Sequence, residues 1–204
     1  MKREDIGERT AREGAHAPFL LGAVKSLMAL MGKDDFYELF GLPARFALDG
    51  DALERAYRDI QSAVHPDRFV NASDAERRTS MQRSTQVNEA YQTLRNPIRR
   101  AAYLLQRHGI DPRFETNTAM PAEFLTEQLE WREAIEEAAE SSDVRELDRL
   151  SSRLGAELKS LYAEVARQLD EREEYAAAAD TLRKLMFLEK LGQEIGDALE
   201  VLEG

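Results

Sequence analysis

The sequence predicts an all-α fold, because apolar residues recur at intervals of three and four and strict alternation is absent. Capping residues and prolines divide this pattern into segments of helical length. The 204 residues are 43% apolar and 33% charged, a balance that can bury a core. The sequence therefore favours two helical domains over a disordered chain or a β-sheet protein.

The N-terminal helices are marked by their boundaries. The first covers residues 35–40, and the second begins after Asp49, whose carboxylate can cap a helix. Pro66 ends the second helix, since a proline disfavours the helical conformation of the residue before it. Ser73 and Glu76 form a capping box that starts the third. Apolar residues at helical spacing form one buried stripe on the second helix, Leu53, Ala56, Tyr57, Ile60 and Val64, and the third helix carries Met81, Val87, Tyr91 and Leu94.

A short helix over 98–108 follows and is closed by Gly109, a residue type that favours the conformation found after helices. Residues 109–120 lack periodicity and form the predicted linker. Beyond them the apolar pattern predicts a three-helix bundle with helices at about 121–140, 143–170 and 173–203. The predicted parts are an N-terminal extension (1–33), a helical-hairpin domain with a closing helix (34–108), the linker, and the bundle (121–204).

The net charge of −11 is unevenly distributed. Residues 109–204 contain eleven Lys or Arg and twenty-four Asp or Glu, for −13, whereas residues 34–108 contain eleven of each. An acidic half repels phosphate backbones, so we expect no nucleic-acid partner. The longest apolar stretch, 18–31, is too short to span a bilayer, and acidic residues before it argue against a targeting peptide. We expect a cytoplasmic protein that does not bind membranes.

The chain contains no cysteine and three histidines, His16, His65 and His108. The absence of thiols excludes disulfides and thiolate metal sites, and so few histidines argue against a histidine-based site. We therefore expect no metal and no cofactor. His16 and His108 are expected to face solvent or to lie at helix ends.

The most informative motif is His65-Pro66-Asp67, between two amphipathic helices. Pro66 fixes its own φ angle and stiffens the loop, so the flanking imidazole and carboxylate lose little entropy on docking to a partner. Asp67 offers an acceptor for a partner arginine. Basic residues that suit an acidic partner surface lie on the preceding helix and just after the motif: Arg55, Arg58 and Arg68.

The tripeptide has two other interpretations. A chance match is disfavoured by its position between two helices, with Tyr57 on the first and Asn88 on the second. A catalytic His65 would need a nucleophile or an orienting carboxylate in a pocket. Asp67 is too close in a stiff loop to orient the imidazole, and no cysteine is available. We therefore expect a protein that is not an enzyme.

The predicted helix at 121–140 has two faces. Leu125 and Leu129 lie about 100° to 140° from the expected core face, at 100° per residue, and continue into a row of glutamates. These leucines either pack against neighbouring parts of the chain or form a partner-binding face, and the sequence alone does not decide. The expected core face contains Phe124, Gln128, Trp131, Ile135 and Ala138.

Four consecutive apolar residues, 185–188, cover nearly all sides of the last helix. They cannot all face one bundle core. Either this helix is buried on almost every side, or one of the four side chains is exposed for a partner.

Three segments of the N-terminal half read DFYELFGL (35–42), VHPDRF (64–69) and VNEAYQTL (87–94). Together they make residues 34–96 resemble a J domain, the activator module of seventy-kilodalton heat-shock chaperones. The resemblance implies stimulation of a partner chaperone's ATPase, with His65, Pro66 and Asp67 as the essential contacts.

Further segments extend the resemblance to 34–204: YELFGLP (37–43), RAAYLL (100–105), EQLE (127–130), AAAD (177–180) and RKL (183–185). The chain is similar to the HscB family, the J-type co-chaperones of iron–sulfur cluster assembly. The resemblance implies two partners, a dedicated seventy-kilodalton chaperone (HscA-like) and the cluster scaffold protein (IscU-like). It implies a scaffold-binding face at Leu125, Leu129, Glu130, Glu133, Glu137 and Phe187.

Two departures from the family pattern stand out. Thr126 occupies a position that often holds a larger apolar residue, which reduces the apolar contact expected there. Some members carry a cysteine-rich metal module before the J domain, which this chain lacks, and residues 1–33 have no assigned role.

Two competing hypotheses are a J-domain protein with a different client and an acidic interaction module with an incidental tripeptide.

Overall fold

The computed structural model describes residues 34–111 and 122–203. Regular structure in these ranges is helical, which confirms the predicted all-α fold. The extension at 1–33, which includes His16, and most of the linker lie outside the described residues. The elements are α1 (Phe36–Phe40), α2 (Gly50–Val64), a 3₁₀ helix (Pro66–Phe69), α3 (Asp74–Arg95), α4 (Pro97–Arg107), α5 (Ala122–Glu140), α6 (Val144–Asp170) and α7 (Tyr175–Glu203).

The described chain forms two compact units, and one boundary differs from the prediction. The first unit contains residues 34–44 and 48–95, and the second contains residues 45–47 together with those from 96 onward. The sequence placed α4 with residues 34–108, but α4 packs against α7 in the second unit. The physical reason is its apolar face, which includes Leu104 and Leu105 and is buried there.

The helices of the first unit begin and end where their capping residues predict. The Asp35 carboxylate accepts a hydrogen bond from the Glu38 N–H at 2.9 Å, and α1 ends at Gly41 with φ +65°. The Asp49 carboxylate accepts from two N–H groups at the start of α2. Core residues from all the helices of the unit are buried: Tyr37, Leu53, Val64, Phe69, Val87 and Leu94.

The predicted capping box starts α3. The Ser73 N–H donates to the Glu76 carboxylate at 2.9 Å, and the Glu76 N–H donates to the Ser73 hydroxyl at 3.3 Å. Hydrogen bonds from the Ser73 hydroxyl and N–H hold the pKa of Glu76 below its usual value. Among the apolar residues identified on α3, Met81 is exposed to solvent, and the neighbouring Ser80 is buried.

Helices α5, α6 and α7 form the predicted bundle in the second unit. The predicted α5 core face is confirmed for four residues, with Gln128 partly exposed. On α7, Leu185 and Leu188 are buried, and Met186 and Phe187 are partly buried. None of these four apolar side chains is fully exposed, because α7 packs against three other helices, α4, α5 and α6. The central core cluster contains Trp131, Ile135, Ala138, Leu147, Leu150, Leu154, Leu188, Leu191 and Ile195.

A three-residue segment before α2 belongs to the second unit. The carboxylate of Asp170, at the end of α6, accepts hydrogen bonds from the Phe46 N–H at 2.6 Å and the Ala47 N–H at 2.7 Å. The Phe46 side chain is buried, and the Arg100 guanidinium lies 5.0 Å from the centre of its ring. One carboxylate therefore satisfies two backbone donors far from it in sequence.

We expect Asp170→Ala to lower the free energy of unfolding of the second unit by about 2 kcal/mol, because two charge-assisted hydrogen bonds are lost. Urea unfolding can be followed by fluorescence of Trp131, the chain's one tryptophan, which is buried in this unit. Asp197→Ala is the matched control, since Asp197 is exposed on α7. Equal unfolding midpoints for the two variants would contradict the assigned role of Asp170.

Candidate protein-docking surfaces

The tripeptide His65-Pro66-Asp67, here called the docking loop, follows the last residue of α2 and continues into the 3₁₀ helix. His65 has φ −59° and ψ 131°, and Pro66 is the first residue of the 3₁₀ helix. The Asp67 N–H donates to Nδ1 of His65 at 3.3 Å, and the Arg68 N–H donates to the His65 carbonyl at 3.0 Å. The docking loop is thus an ordered turn with its own hydrogen bonds.

The two ionisable side chains of the docking loop point to solvent. The His65 side chain is 48% exposed and that of Asp67 is 86% exposed. Nδ1 of His65 lies 3.5 Å from Oδ2 of Asp67. The neighbouring residues Val64 and Phe69 are fully buried and anchor the loop from both sides. The structure therefore exposes an imidazole and a carboxylate on a turn whose flanking residues are buried.

A buried hydrogen bond supports the docking loop from α3. The Ser80 hydroxyl donates to the carbonyl of Val64 at 2.6 Å, which satisfies an acceptor left free at the end of α2. Sequence reasoning missed Ser80. The available signal was its position seven residues before Val87 and eleven before Tyr91, which places a polar residue on the buried stripe of α3.

Side-chain contacts join α2 to α3. The rings of Tyr57 and Tyr91 stack with centroids 4.0 Å apart, and the Tyr57 hydroxyl donates to Oδ1 of Asn88 at 3.0 Å. The Tyr91 hydroxyl donates to the Glu54 carboxylate, and this hydrogen bond raises the pKa of Tyr91. These contacts hold the hairpin that carries the docking loop.

The predicted basic residues lie in the same unit as the docking loop. Arg55 and Arg58 are exposed on α2, and Arg68 is partly exposed in the 3₁₀ helix. The exposed surface of this hairpin therefore combines guanidinium groups with the tripeptide.

The outer side of α5 is here called the leucine face: Leu125, Leu129, Glu130, Glu133 and Glu137. Leu125 is 50% exposed and Leu129 is 58% exposed, although both are large apolar side chains. The three glutamates are also exposed. Within the described residues, each leucine has about half of its surface exposed and the rest covered. The structure leaves both leucines accessible, surrounded by carboxylates.

Phe187 contacts α5 from α7. Its ring meets that of Phe124 edge-on at a centroid distance of 5.6 Å, and the Arg132 guanidinium lies 5.7 Å from the centre of the Phe187 ring. Phe187 is partly buried, so one part of its ring packs and another remains accessible. Sequence reasoning missed Arg132, which shares the exposed side of α5 with Leu125 and Leu129.

Comparison with known proteins addresses the identity of both units. A family model for the DnaJ domain matches residues 35–103, and a model for the HSCB C-terminal oligomerisation domain matches residues 120–196. The Co-chaperone protein HscB homolog of Aromatoleum aromaticum is 51% identical over 176 residues, which cover 86% of this chain and 99% of that protein. The chain belongs to the HscB family. The HscB homolog of Burkholderia thailandensis is 50% identical and covers 84% of this chain.

Solved HscB structures have the same fold. HscB from Vibrio cholerae superposes with a TM-score of 0.78 and 39% identity, covering 82% of this chain and 99% of that one. Human HscB superposes with a TM-score of 0.75 and 30% identity, covering 81% and 82% of the two chains. The chain is therefore a J-domain co-chaperone of the HscB family, and its docking loop lies within the J-domain match.

Within 34–111 and 122–203, no three His, Cys, Asp or Glu side chains converge on a metal-binding position. His108 follows the last residue of α4, and its ring stacks on that of Tyr175 at 3.8 Å. This is the predicted helix-end position.

No helix within residues 34–111 and 122–203 has both the length and the hydropathy needed to cross a bilayer.

Proposed function

We propose that this chain is a co-chaperone of iron–sulfur cluster assembly in the cytoplasm. It binds the cluster scaffold protein (IscU-like), delivers it to a dedicated seventy-kilodalton chaperone (HscA-like), and stimulates ATP hydrolysis by that chaperone to promote cluster transfer. The observation that carries the proposal is the docking loop, which is held rigidly on a helical hairpin with His65 and Asp67 exposed.

The docking loop acts as a preformed contact. Pro66, the hydrogen bond from the Asp67 N–H to His65, and the buried Val64 carbonyl bond fix its backbone before any partner arrives. Little conformational entropy is then lost on binding, which leaves more of the contact free energy for the complex. Asp67 supplies a carboxylate for a partner arginine, and Arg55, Arg58 and Arg68 approach an acidic surface.

The leucine face and Phe187 form the scaffold-binding surface. Leu125 and Leu129 provide apolar area whose removal from water contributes about 25 cal/mol per Å² to complex formation, before the entropic costs of association are subtracted. Glu130, Glu133 and Glu137 surround them and select a partner with a basic rim. Thr126 is exposed beside Leu125, so less apolar area is offered than a larger side chain would give.

The chain itself is not an enzyme in this proposal, and needs no metal or cofactor. His65 accepts a backbone hydrogen bond at Nδ1, and its carboxylate neighbour Asp67 is exposed on the same turn. An open surface of this kind suits docking, because general acid–base chemistry needs a substrate held in a site beside the imidazole. The hydrolytic step belongs to the partner chaperone.

Purified chain, scaffold and chaperone provide the test. We expect the full chain to bind the scaffold by titration calorimetry and to accelerate ATP hydrolysis by the chaperone several-fold, with the scaffold bound in the same complex. Acceleration without scaffold binding would support a J-domain protein with another client. A chain that neither binds the scaffold nor changes the hydrolysis rate would refute the proposal.

A further inference from the structure

A groove between α4 and α7 in the second unit has no role in the function proposed above. Its volume is about 510 Å³, within the range of pockets that bind ligands. Ile98 and Ala102 from α4 and Met186 from α7 give it an apolar surface. Polar side chains complete the lining: Asn96, Arg99, Glu189, Lys190 and Gln193.

The apolar part of the groove is suited to an aliphatic side chain. Ala102 is short and leaves room above α4, and Met186 is an unbranched side chain that adapts to different shapes. Met186, Glu189, Lys190 and Gln193 are spaced by three, one and three residues and therefore share one stripe of α7.

The polar part of the groove carries a positive charge. Arg99 and Lys190 are exposed on the two opposing helices, and neither side chain has an ion-pair partner among the described residues. The carboxylate of Glu189 is already engaged, because it accepts a hydrogen bond from the Tyr162 hydroxyl. Burial, together with that bond, raises the pKa of Tyr162. The rim therefore holds two cations without an ion-pair partner and one carboxylate that already accepts a hydrogen bond, for a net charge of +1.

This charge is opposite to that of the surrounding protein. Residues 109–204 have a net charge of −13, whereas α4 contains three arginines and no acidic residue. The leucine face is acidic and apolar, and the groove is basic and apolar. Surfaces of opposite charge select partner segments of opposite charge, so the groove and the leucine face cannot both suit the same segment.

We propose that this groove binds a segment of a partner protein in which an aliphatic side chain lies next to carboxylates. The aliphatic side chain enters between Ile98, Ala102 and Met186, and the carboxylates pair with Arg99 and Lys190. The carboxamides of Asn96 and Gln193 hydrogen-bond the backbone of the bound segment. Oδ1 of Asn96 caps α4 by accepting from the Arg99 N–H at 2.9 Å, which leaves its two N–H donors for this purpose.

The test uses the full chain with ¹³C-labelled Met, Ile and Leu methyl groups, titrated with the synthetic peptide acetyl-Asp-Glu-Leu-Leu-Asp-Glu-amide. We expect saturable shifts of the Met186 and Ile98 methyl signals. Arg99→Glu combined with Lys190→Glu should weaken binding by about tenfold or more, since two attractive charges become repulsive. Arg145→Glu combined with Lys159→Glu is the matched control, because it changes the same charge at exposed positions of α6.

A second peptide, with Asn and Gln in place of Asp and Glu, should bind more weakly than the acidic one. Trp131 fluorescence checks that each variant is folded. The proposal is overturned if the Met186 and Ile98 signals do not shift, or if the groove and control variants bind the acidic peptide equally well. Shifts confined to Leu125 and Leu129 would also overturn it, because they would place the peptide on the leucine face.

Discussion

Asp67→Ala should remove most of the stimulation of the chaperone's ATPase, and His65→Gln should have the same effect. The Asp67 carboxylate is exposed in isolation and becomes desolvated when a partner arginine docks on it. Truncating one member of such a charged pair costs about 2–5 kcal/mol of binding free energy, because the other charge is left buried and unpaired. His65→Gln removes the ring whose Nδ1 accepts from the Asp67 N–H, so the turn loses part of its fixed geometry.

Initial rates of ATP hydrolysis, measured over a range of co-chaperone concentrations, separate weaker docking from weaker stimulation. Asp197→Ala is the matched control, since it removes an exposed carboxylate from α7 and should stimulate normally. Scaffold binding should be unchanged in all these variants. Full stimulation by both docking-loop variants would show that the tripeptide is not the chaperone contact.

Combining Leu125→Ala with Leu129→Ala should weaken scaffold binding by about 2–3 kcal/mol, or roughly 30- to 150-fold. Both side chains are about half exposed in the free chain, so their truncation removes contact area for the partner and leaves little cavity in the bundle. Stimulation of the chaperone by the co-chaperone alone should be intact, because the docking loop is in the first unit.

Titration calorimetry with the purified scaffold measures the loss. Val201→Ala is the control, since Val201 is an exposed apolar residue of α7 outside the leucine face. The unfolding midpoint of the double variant should match that of the parent chain. Unchanged scaffold affinity in a folded double variant would remove the leucine face from the binding surface.

Much of the fold could be predicted because helix boundaries are local. Asp35, Asp49 and Ser73 accept hydrogen bonds from N–H groups two or three residues away, so their side chains mark helix starts in the sequence itself. The docking loop was predictable for the same reason. Pro66 ends one helix and stiffens the turn through its own covalent geometry.

Contacts between distant residues were not predictable in this way. The bond from Ser80 to the Val64 carbonyl spans 16 residues, and that from the Phe46 N–H to Asp170 spans 124. No periodicity encodes either. The position of α4 was missed because its apolar face fits any adjacent apolar surface, and only the packed structure identifies α7. The exposure of Leu125 and Leu129 likewise depends on which surfaces remain uncovered.

The hydrogen bonds from the Phe46 and Ala47 N–H groups to Asp170 have consequences for truncated fragments and for folding during synthesis. A recombinant fragment that begins at residue 96 would lack residues 45–47, which belong to the second unit. During synthesis the ribosome makes residues 45–47 more than a hundred residues before their acceptor. These two amide groups therefore cannot donate to Asp170 until α6 has left the exit tunnel.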